Sequence, residues 1–377
     1  MKFLNITTCA LLLTLAAMQA NAQNALWFGQ AKELSKKVDS LAQIGKWKEI
    51  EQKYFDTKRL AERSIEGLKL SEEEEEGFVD GVIEGIGSVG YFPAIGKQST
   101  SFNLLRVREM NGTYSILFRA IMSNGGLNYY DFVVERNKKG EVKIVDGYIY
   151  AGTGYMSDIM RDMLLSAMPD GFGSVDKEGE RTIKSLRSMT KAKNEGNFAK
   201  VLAEYNQLLP KDKKQKIFLS YRVTASQNVS VEEYKAALDD YYANFPNEQG
   251  ISLLLIDRYF LDENYSKVIE AIHKTDSIVG GDSYLELLRG NVYISLEEYH
   301  KAEASLKRFI ADFPKMAIAY PSYVSILIVN EKYGLAIETI KKWEKETGEK
   351  PLEVMDFTGY EEFNESEEFL AYKASRK

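Results

Sequence analysis

The chain has 377 residues, of which 44% are hydrophobic and 28% are charged. This balance is typical of a globular protein and excludes a disordered or fibrous chain, and the length predicts about two or three domains. The formal net charge is −7 and there is no basic tract, so nucleic acid and anionic lipid are not expected as partners.

The first 22 residues have the pattern of a secretory signal peptide. Lys2 is followed by an apolar run over residues 10–18 and by Ala-Asn-Ala at residues 20–22. We therefore predict cleavage before Gln23 and export to the periplasm or the exterior of a bacterium. The run is too short to span a membrane, and no later segment is apolar enough, so no transmembrane segment is expected.

The single cysteine, Cys9, lies before most of that apolar run. A lipid-attachment cysteine would follow the run, so lipidation is not expected. Cleavage before Gln23 would remove Cys9, and with it any disulfide, thiol nucleophile or thiolate metal ligand.

Residues 23–175 are predicted to form an α+β domain that begins with helices. Apolar residues at helical spacing on both sides of Gly45 predict a helical hairpin over about residues 34–54. Ser71 and Glu74 have the spacing of a capping box and predict a helix from there into the 80s. Three glycines of this helix lie four residues apart and predict a face that packs closely on another element. They are Gly77, Gly81 and Gly85.

A period of two then predicts a four-stranded antiparallel meander. The strands are expected near residues 102–109, 113–121, 127–136 and 141–150. Asn111-Gly112 predicts a two-residue hairpin turn between the first two strands. Ser157 is expected to cap a helix that runs to Met168, and a linker is expected through about Gly179.

Helices followed by a curved antiparallel sheet resemble the NTF2-like or cystatin-like α+β class. Residues 42–56, a helix, a Gly-Lys-Trp break and a second helix ending in Tyr-Phe-Asp, are similar to the start of many NTF2-like domains. That resemblance implies a fold whose members include enzymes, ligand binders and dimerisation modules, so it selects no function.

Residues 180–350 are predicted to form an all-α solenoid of helical repeats. Tyr265, Tyr299 and Tyr333 lie 34 residues apart, and small or apolar residues recur at the same offsets after each. This period is the signature of stacked antiparallel helix pairs. Three clear copies span 249–282, 283–316 and 317–350, after two degenerate copies over 196–210 and 215–248.

The copy at 215–248 is expected to have a shortened second helix. The interval from Tyr234 to Pro246 is three residues shorter than that from Tyr299 to Pro314. We took Tyr234 as the counterpart of Tyr299.

The copy at 283–316 resembles the tetratricopeptide repeat at five positions. The matching residues are Gly290, Tyr293, Ala302, Leu306 and Pro314. A small residue lets two helix axes approach closely, and a proline cannot continue the second helix.

This resemblance implies a concave surface, lined by the first helix of each pair, that takes a protein or peptide partner. The candidate binding residues in this frame are Asp257, Phe260, Tyr284, Leu287, Asn291 and Ser295. Asn291 matches the asparagine of the carboxylate-clamp subclass, but Leu287 and Ser295 replace its lysines, so capture of a C-terminal carboxylate there is not expected. The mixed lining favours a protein partner.

Residues 351–377 do not repeat and carry aromatic residues among carboxylates. We predict a capping helix over the last repeat, since a solenoid must cover its exposed end. An aromatic-acidic peptide that docks on another protein is the alternative.

No catalytic residue, metal site or cofactor is predicted. The two histidines, His273 and His300, lie on repeat helices without a partner at metal-ligand spacing. The N-terminal domain therefore lacks the commonest general base. Arg119 and Asp131 are the pocket candidates if the sheet curls into a cone, although an exposed cross-strand ion pair is the favoured interpretation.

Together these patterns favour an exported, non-enzymatic binding or scaffold protein that uses the repeat surface. A small-ligand binder or enzyme with a pocket in the NTF2-like domain is the alternative. A glycan-binding lipoprotein of the starch-utilisation type is disfavoured by the missing lipid-attachment cysteine. No pattern in the sequence sets the oligomeric state.

Overall fold

The computed structural model of the protein describes residues 27–110, 113–167 and 177–376. The chain forms two compact units that divide between Ile251 and Ser252. Unit 1 contains an antiparallel sheet with its surrounding helices and two helix pairs, and unit 2 is helical. The predicted signal peptide, the Asn111-Gly112 turn and the first part of the linker lie outside the described residues. In the described ranges, no helix is long and apolar enough to cross a membrane.

In the described part of the chain, five helices precede the sheet. They are α1 (27–43), α2 (Trp47–Tyr54), α3 (Thr57–Ile65), α4 (Glu72–Val89) and α5 (Tyr91–Gln98). The hairpin α1–α2 and helix α4 confirm the predictions, whereas α3 and α5 were not predicted. The capping box also forms, because the Ser71 amide donates to the Glu74 carboxylate at 2.7 Å and the Glu74 amide donates to the Ser71 hydroxyl at 3.3 Å.

The glycine face of α4 does not pack as expected. A Cβ atom at Gly77, Gly81 or Gly85 would meet no other atom within 4 Å. The helix instead buries Val82 and Ile86, which belong to the apolar core of unit 1. The expectation of close packing was wrong, because spacing along a helix cannot say whether a second element covers that face.

The sheet is a meander in which each strand is antiparallel to the next. Its strands are β1 (Ser99–Met110), β2 (Thr113–Met122), β3 (Leu127–Arg136), β4 (Val142–Ile149) and β5 (Gly154–Tyr155), in that spatial order. The four predicted strands are confirmed in place and order. The fifth strand has only two residues, too few for a period of two to be seen. Helix α6 (Met156–Ala167) follows it.

One face of the sheet packs against the preceding helices. Tyr130, Phe132 and Val134 of β3 lie in this core, as their alternation predicted, together with Ile50 of α2 and Leu60 of α3. The odd-numbered residues of β3 therefore point to the second face of the sheet.

Ten helices follow as five consecutive pairs in the described residues. Unit 1 holds α7 (Lys177–Asn194), α8 (Phe198–Gln207), α9 (Lys216–Ser226) and α10 (Val231–Asn244). Helix α11 (Ile251–Phe260) begins at the boundary between the units. Unit 2 continues with α12 (Tyr265–Val279), α13 (Leu285–Ser295), α14 (Tyr299–Asp312), α15 (Tyr320–Val329) and α16 (Tyr333–Thr347).

The 34-residue period is visible in the geometry of the turns. Helices α12, α14 and α16 each begin at one of the three repeated tyrosines. Two residues before each tyrosine the backbone is left-handed, with φ of 54° to 58°, and the next amide donates to the carbonyl five residues back at 2.8–2.9 Å. The left-handed residues are Glu263, Glu297 and Glu331. This is the Schellman cap of the first helix, and its last residue is also the N-cap of the second.

The shortened helix predicted in the copy at 215–248 was wrong. Helices α10 and α14 both have 14 residues. Helix α10 begins at Val231, so Tyr234 is the counterpart of Ala302 and not of Tyr299. The two prolines, Pro246 and Pro314, lie two repeat lengths apart and hold the correct register.

The C-terminal tail packs on the last helix pair. It forms three short helices in place of the single predicted one, α17 (Pro351–Val354), α18 (Glu361–Glu365) and α19 (Glu367–Ala374). Phe363 and Phe369 are buried with ring centroids 4.6 Å apart. The Tyr372 hydroxyl donates to Glu344 of α16 at 2.8 Å, so the aromatic residues of the tail cover α16.

Candidate functional site

The six predicted groove residues of unit 2 divide into buried and exposed ones. Tyr284 and Leu287 are buried, and the Tyr284 ring packs edge-on against Phe309 with centroids 5.4 Å apart. These two side chains contribute to the core of the unit. The other four have exposed side chains, and they are Asp257, Phe260, Asn291 and Ser295.

Some of the exposed residues recur with the repeat at the C-terminal ends of the first helices. Leu261, Ser295 and Val329 are 34 residues apart at the ends of α11, α13 and α15, and Phe260 precedes Leu261. Phe260 is 52% exposed and Val329 48%. We call Phe260, Leu261, Ser295 and Val329 the exposed row, because equivalent positions of stacked pairs lie on one side of a solenoid. Leu261 and Val329 were missed, although their offset from Ser295 could have identified them.

The pocket candidates Arg119 and Asp131 lie on the second face of the sheet and are both buried. Asp131 is 2% exposed and Arg119 is 5% exposed. The Asp131 carboxylate is paired with the Arg108 guanidinium, and the Gln249 amide lies 3.4 Å from it. The exposed ion pair that we favoured was therefore wrong, since Asp131 is buried and takes its partners from the chain itself.

The segment at residues 248–250 approaches the same face of the sheet within unit 1. The Gln249 amide donates to the Tyr150 hydroxyl at 2.5 Å, and the Gly250 amide donates to the Tyr148 hydroxyl at 3.0 Å. A Cβ at Gly250 would lie 2.3 Å from the carbonyl oxygen of Tyr150, so only glycine fits there. Burial raises the pKa of Tyr148, and the Glu248 carboxylate that accepts its proton at 2.5 Å raises it further. These contacts join residues about a hundred positions apart, for which the sequence carries no local signal.

Titratable groups with a shifted pKa also meet between α6 and α7. Burial raises the pKa of Asp162 to about 7, and the charge of Asp158 adds to the rise. Burial lowers the pKa of Lys193 on α7, which Asp162 opposes. This pair could exchange a proton near neutral pH, but the surrounding residues offer no nucleophile or metal ligand set.

No metal centre is apparent among the residues that the structure describes. Within those ranges, no group of three or more His, Cys, Asp or Glu side chains is arranged to hold a metal ion. His273 and His300 both have exposed side chains on repeat helices.

Comparison with known proteins assigns no family. No family model matches the chain, and no curated protein sequence matches it. Among solved structures, the crystal structure of MamA protein is similar over 48% of this chain and 99% of that chain, with 17% sequence identity and a TM-score of 0.40.

Proposed function

We propose that this is an exported, non-enzymatic binding or scaffold protein whose helix pairs are of the tetratricopeptide type. The exposed row is the feature that would contact a protein or peptide partner. We also propose an NTF2-like fold for the α+β part of unit 1, on the order of its helices and its meander. A ligand pocket at Asp131 is not proposed, because its carboxylate has partners within unit 1.

The observation that supports this function is the recurrence of exposed apolar side chains at one position of the repeat. Single exposed apolar residues are ordinary on a protein surface, but contiguous ones mark interaction sites. Fully burying such a side chain contributes about 1.5–3 kcal/mol. Because Phe260 and Val329 are about half exposed, a partner that covers them would gain about 1 kcal/mol from each.

Site-specific photo-crosslinking of the full chain tests the partner surface. A photoreactive residue at Ser295 is expected to capture a discrete partner from an extract of the source cell. The same residue at Lys307, which is equally exposed on α14, is the matched control and is expected to capture none. A second change, Phe260→Glu, should reduce the yield at Ser295 at least fivefold, because a charge would then be buried against the partner.

Equal capture at Ser295 and Lys307, or a yield at Ser295 that Phe260→Glu leaves unchanged, would refute the exposed row as the binding surface. Export is tested separately by mass spectrometry of the protein purified from its source. Its N-terminus is expected at Gln23, and a chain that retains Met1 would refute export.

A further inference from the structure

Helices α12, α13 and α14 of unit 2 enclose a charged depression with a volume of about 360 Å³. Small-molecule sites begin at about 300 Å³, so the space admits a small ligand or a terminal group of a larger one. Its charged and titratable lining residues are His273 and Asp276 of α12, Glu286 and Arg289 of α13, and Lys301 and Arg308 of α14.

The floor of the depression is a buried ion-pair cluster. The Arg289 side chain is 7% exposed and donates to the Asp276 carboxylate at 2.5 Å and to the Glu286 carboxylate at 2.9 Å. Arg289 Nε and Glu286 Oε2 are nevertheless buried without a hydrogen-bond partner in the described part of the chain. A buried ion pair with unsatisfied atoms does not recover the full cost of removing its charges from water.

The repeat itself shows that these charges are not required for packing. The counterparts of Asp276, Glu286 and Arg289 one repeat later are buried and uncharged, and they are Ile310, Tyr320 and Tyr323. One repeat earlier in the sequence the counterparts are also uncharged, namely Tyr242, Ser252 and Leu255. Replacing well-packed apolar residues by a buried ion pair typically costs about 1–4 kcal/mol. Local departures of this kind are expected where a site has a function.

The depression is separate from the exposed row. On α13, Glu286, Arg289 and Tyr293 have the spacing i, i+3, i+7 and lie on one face of the helix. Ser295 of the exposed row lies on the opposite face, about 180° from Glu286 at 100° per residue. A ligand in the depression would therefore leave the exposed row accessible.

The charges of the lining select the class of ligand. Arg289, Lys301 and Arg308 carry three positive charges against two negative charges on Asp276 and Glu286. One net positive charge matches a carboxylate, whereas a phosphate group of about −1.5 to −2 would leave an excess of negative charge. The rest of this chain, with its net charge of −7, does not otherwise attract anions.

Arg308 is the residue best placed to hold that carboxylate. Its side chain is 71% exposed, and its contact with Glu286 is a loose one of 3.7 Å. Lys301 is shared with Glu298 at 2.7 Å and therefore contributes less. A guanidinium binds a carboxylate through two parallel hydrogen bonds. We propose that this depression binds the carboxylate group of a ligand through Arg308, with Lys301 and His273 at the rim.

The test uses the two histidines of the full chain as reporters, because His273 lines the depression and His300 does not. Their Cε1 protons are followed by NMR and assigned with His300→Gln. The probes are acetate, inorganic phosphate, an N-acetylated neutral tetrapeptide with a free C-terminus, and a C-amidated tetrapeptide with one internal Glu. The two peptides distinguish a terminal from a side-chain carboxylate.

We expect a saturable shift of the His273 proton with acetate and with at least one of the peptides, little movement of His300, and weaker binding of phosphate. Arg308→Ala should raise the dissociation constant at least fivefold. Lys307→Ala, the neighbouring exposed cation, should leave it unchanged, as should Phe260→Glu in the exposed row. A linear shift shared by both histidines, or an unchanged dissociation constant in Arg308→Ala, overturns the proposal without bearing on the exposed row.

Discussion

Asp162 gives the protein a specific dependence of stability on pH. This carboxyl group on α6 is half-buried, and the charge of Asp158, one turn earlier, opposes its ionisation. Arg161 and Lys193 favour the ionised form but do not outweigh burial. We predict that Asp162→Asn, which keeps the size of the side chain and removes its titration, stabilises the protein at alkaline pH.

The size of the effect follows from the pKa. Burial raises the pKa of Asp162 from 3.8 to about 7, and each unit corresponds to about 1.4 kcal/mol, so the upper bound is about 4 kcal/mol. Local relaxation around the charge reduces this, and we expect about 1–3 kcal/mol. Because the pKa is raised in the folded state, the folded protein holds the proton more tightly than the unfolded chain. The corresponding stability is complete below pH 4 and is lost as the pH rises through about 7.

The assay is urea unfolding of the wild-type chain and Asp162→Asn at pH 5 and pH 8. The advantage of the variant in free energy of unfolding should be larger at pH 8 than at pH 5 by about 1–3 kcal/mol. Asp312→Asn, at an exposed aspartate on α14, is the control and should show no such difference. Asp158→Asn should give an intermediate result, because it removes one cause of the raised pKa. An advantage of Asp162→Asn that is equal at both pH values would refute the reasoning.

Two further predictions concern packing in unit 2 and are read out by urea unfolding. Gly290→Ala should destabilise by about 1–3 kcal/mol, because its Cβ would lie 2.6 Å from the buried Leu306 side chain. Gly334→Ala, where a Cβ meets nothing within 4 Å, should instead stabilise by about 0.5 kcal/mol, and equal effects at the two glycines would contradict the close crossing of α13 and α14. Phe369→Ala should cost about 3–5 kcal/mol if the tail covers α16. Leu370→Ala, at an exposed neighbour, should change stability by less than about 0.5 kcal/mol, and a similarly small loss in Phe369→Ala would refute the cap.

Features that depend on neighbours within one or two turns could be predicted from the sequence. The capping box at Ser71 forms because its two partners are three residues apart, whatever surrounds the helix. The alternation of Tyr130 and Phe132 with Asp131 assigned the two faces of β3 correctly. The turn before Tyr299 recurs every 34 residues because the same local hydrogen bond closes it each time.

Features that depend on what covers a surface could not be predicted. The sequence placed Asp131 on the second face of the sheet, but its burial depends on residues such as Gln249, more than a hundred positions away. Gly81 has the spacing of a packed helix face and is open, while Leu287 has the position of a groove residue and is buried. A helix or strand pattern says which way a side chain points and not what lies opposite.

By itself, then, the sequence determined the order of the elements, the meander and the period of the helix pairs, because hydrogen bonds and apolar spacing are local. Only the tertiary structure decided which polar groups are buried and which apolar groups are exposed. The ion pairs of Arg289 and the exposure of Val329 are of this second kind. Both depend on desolvation, which is set by all the atoms that surround a group and not by its position along the chain.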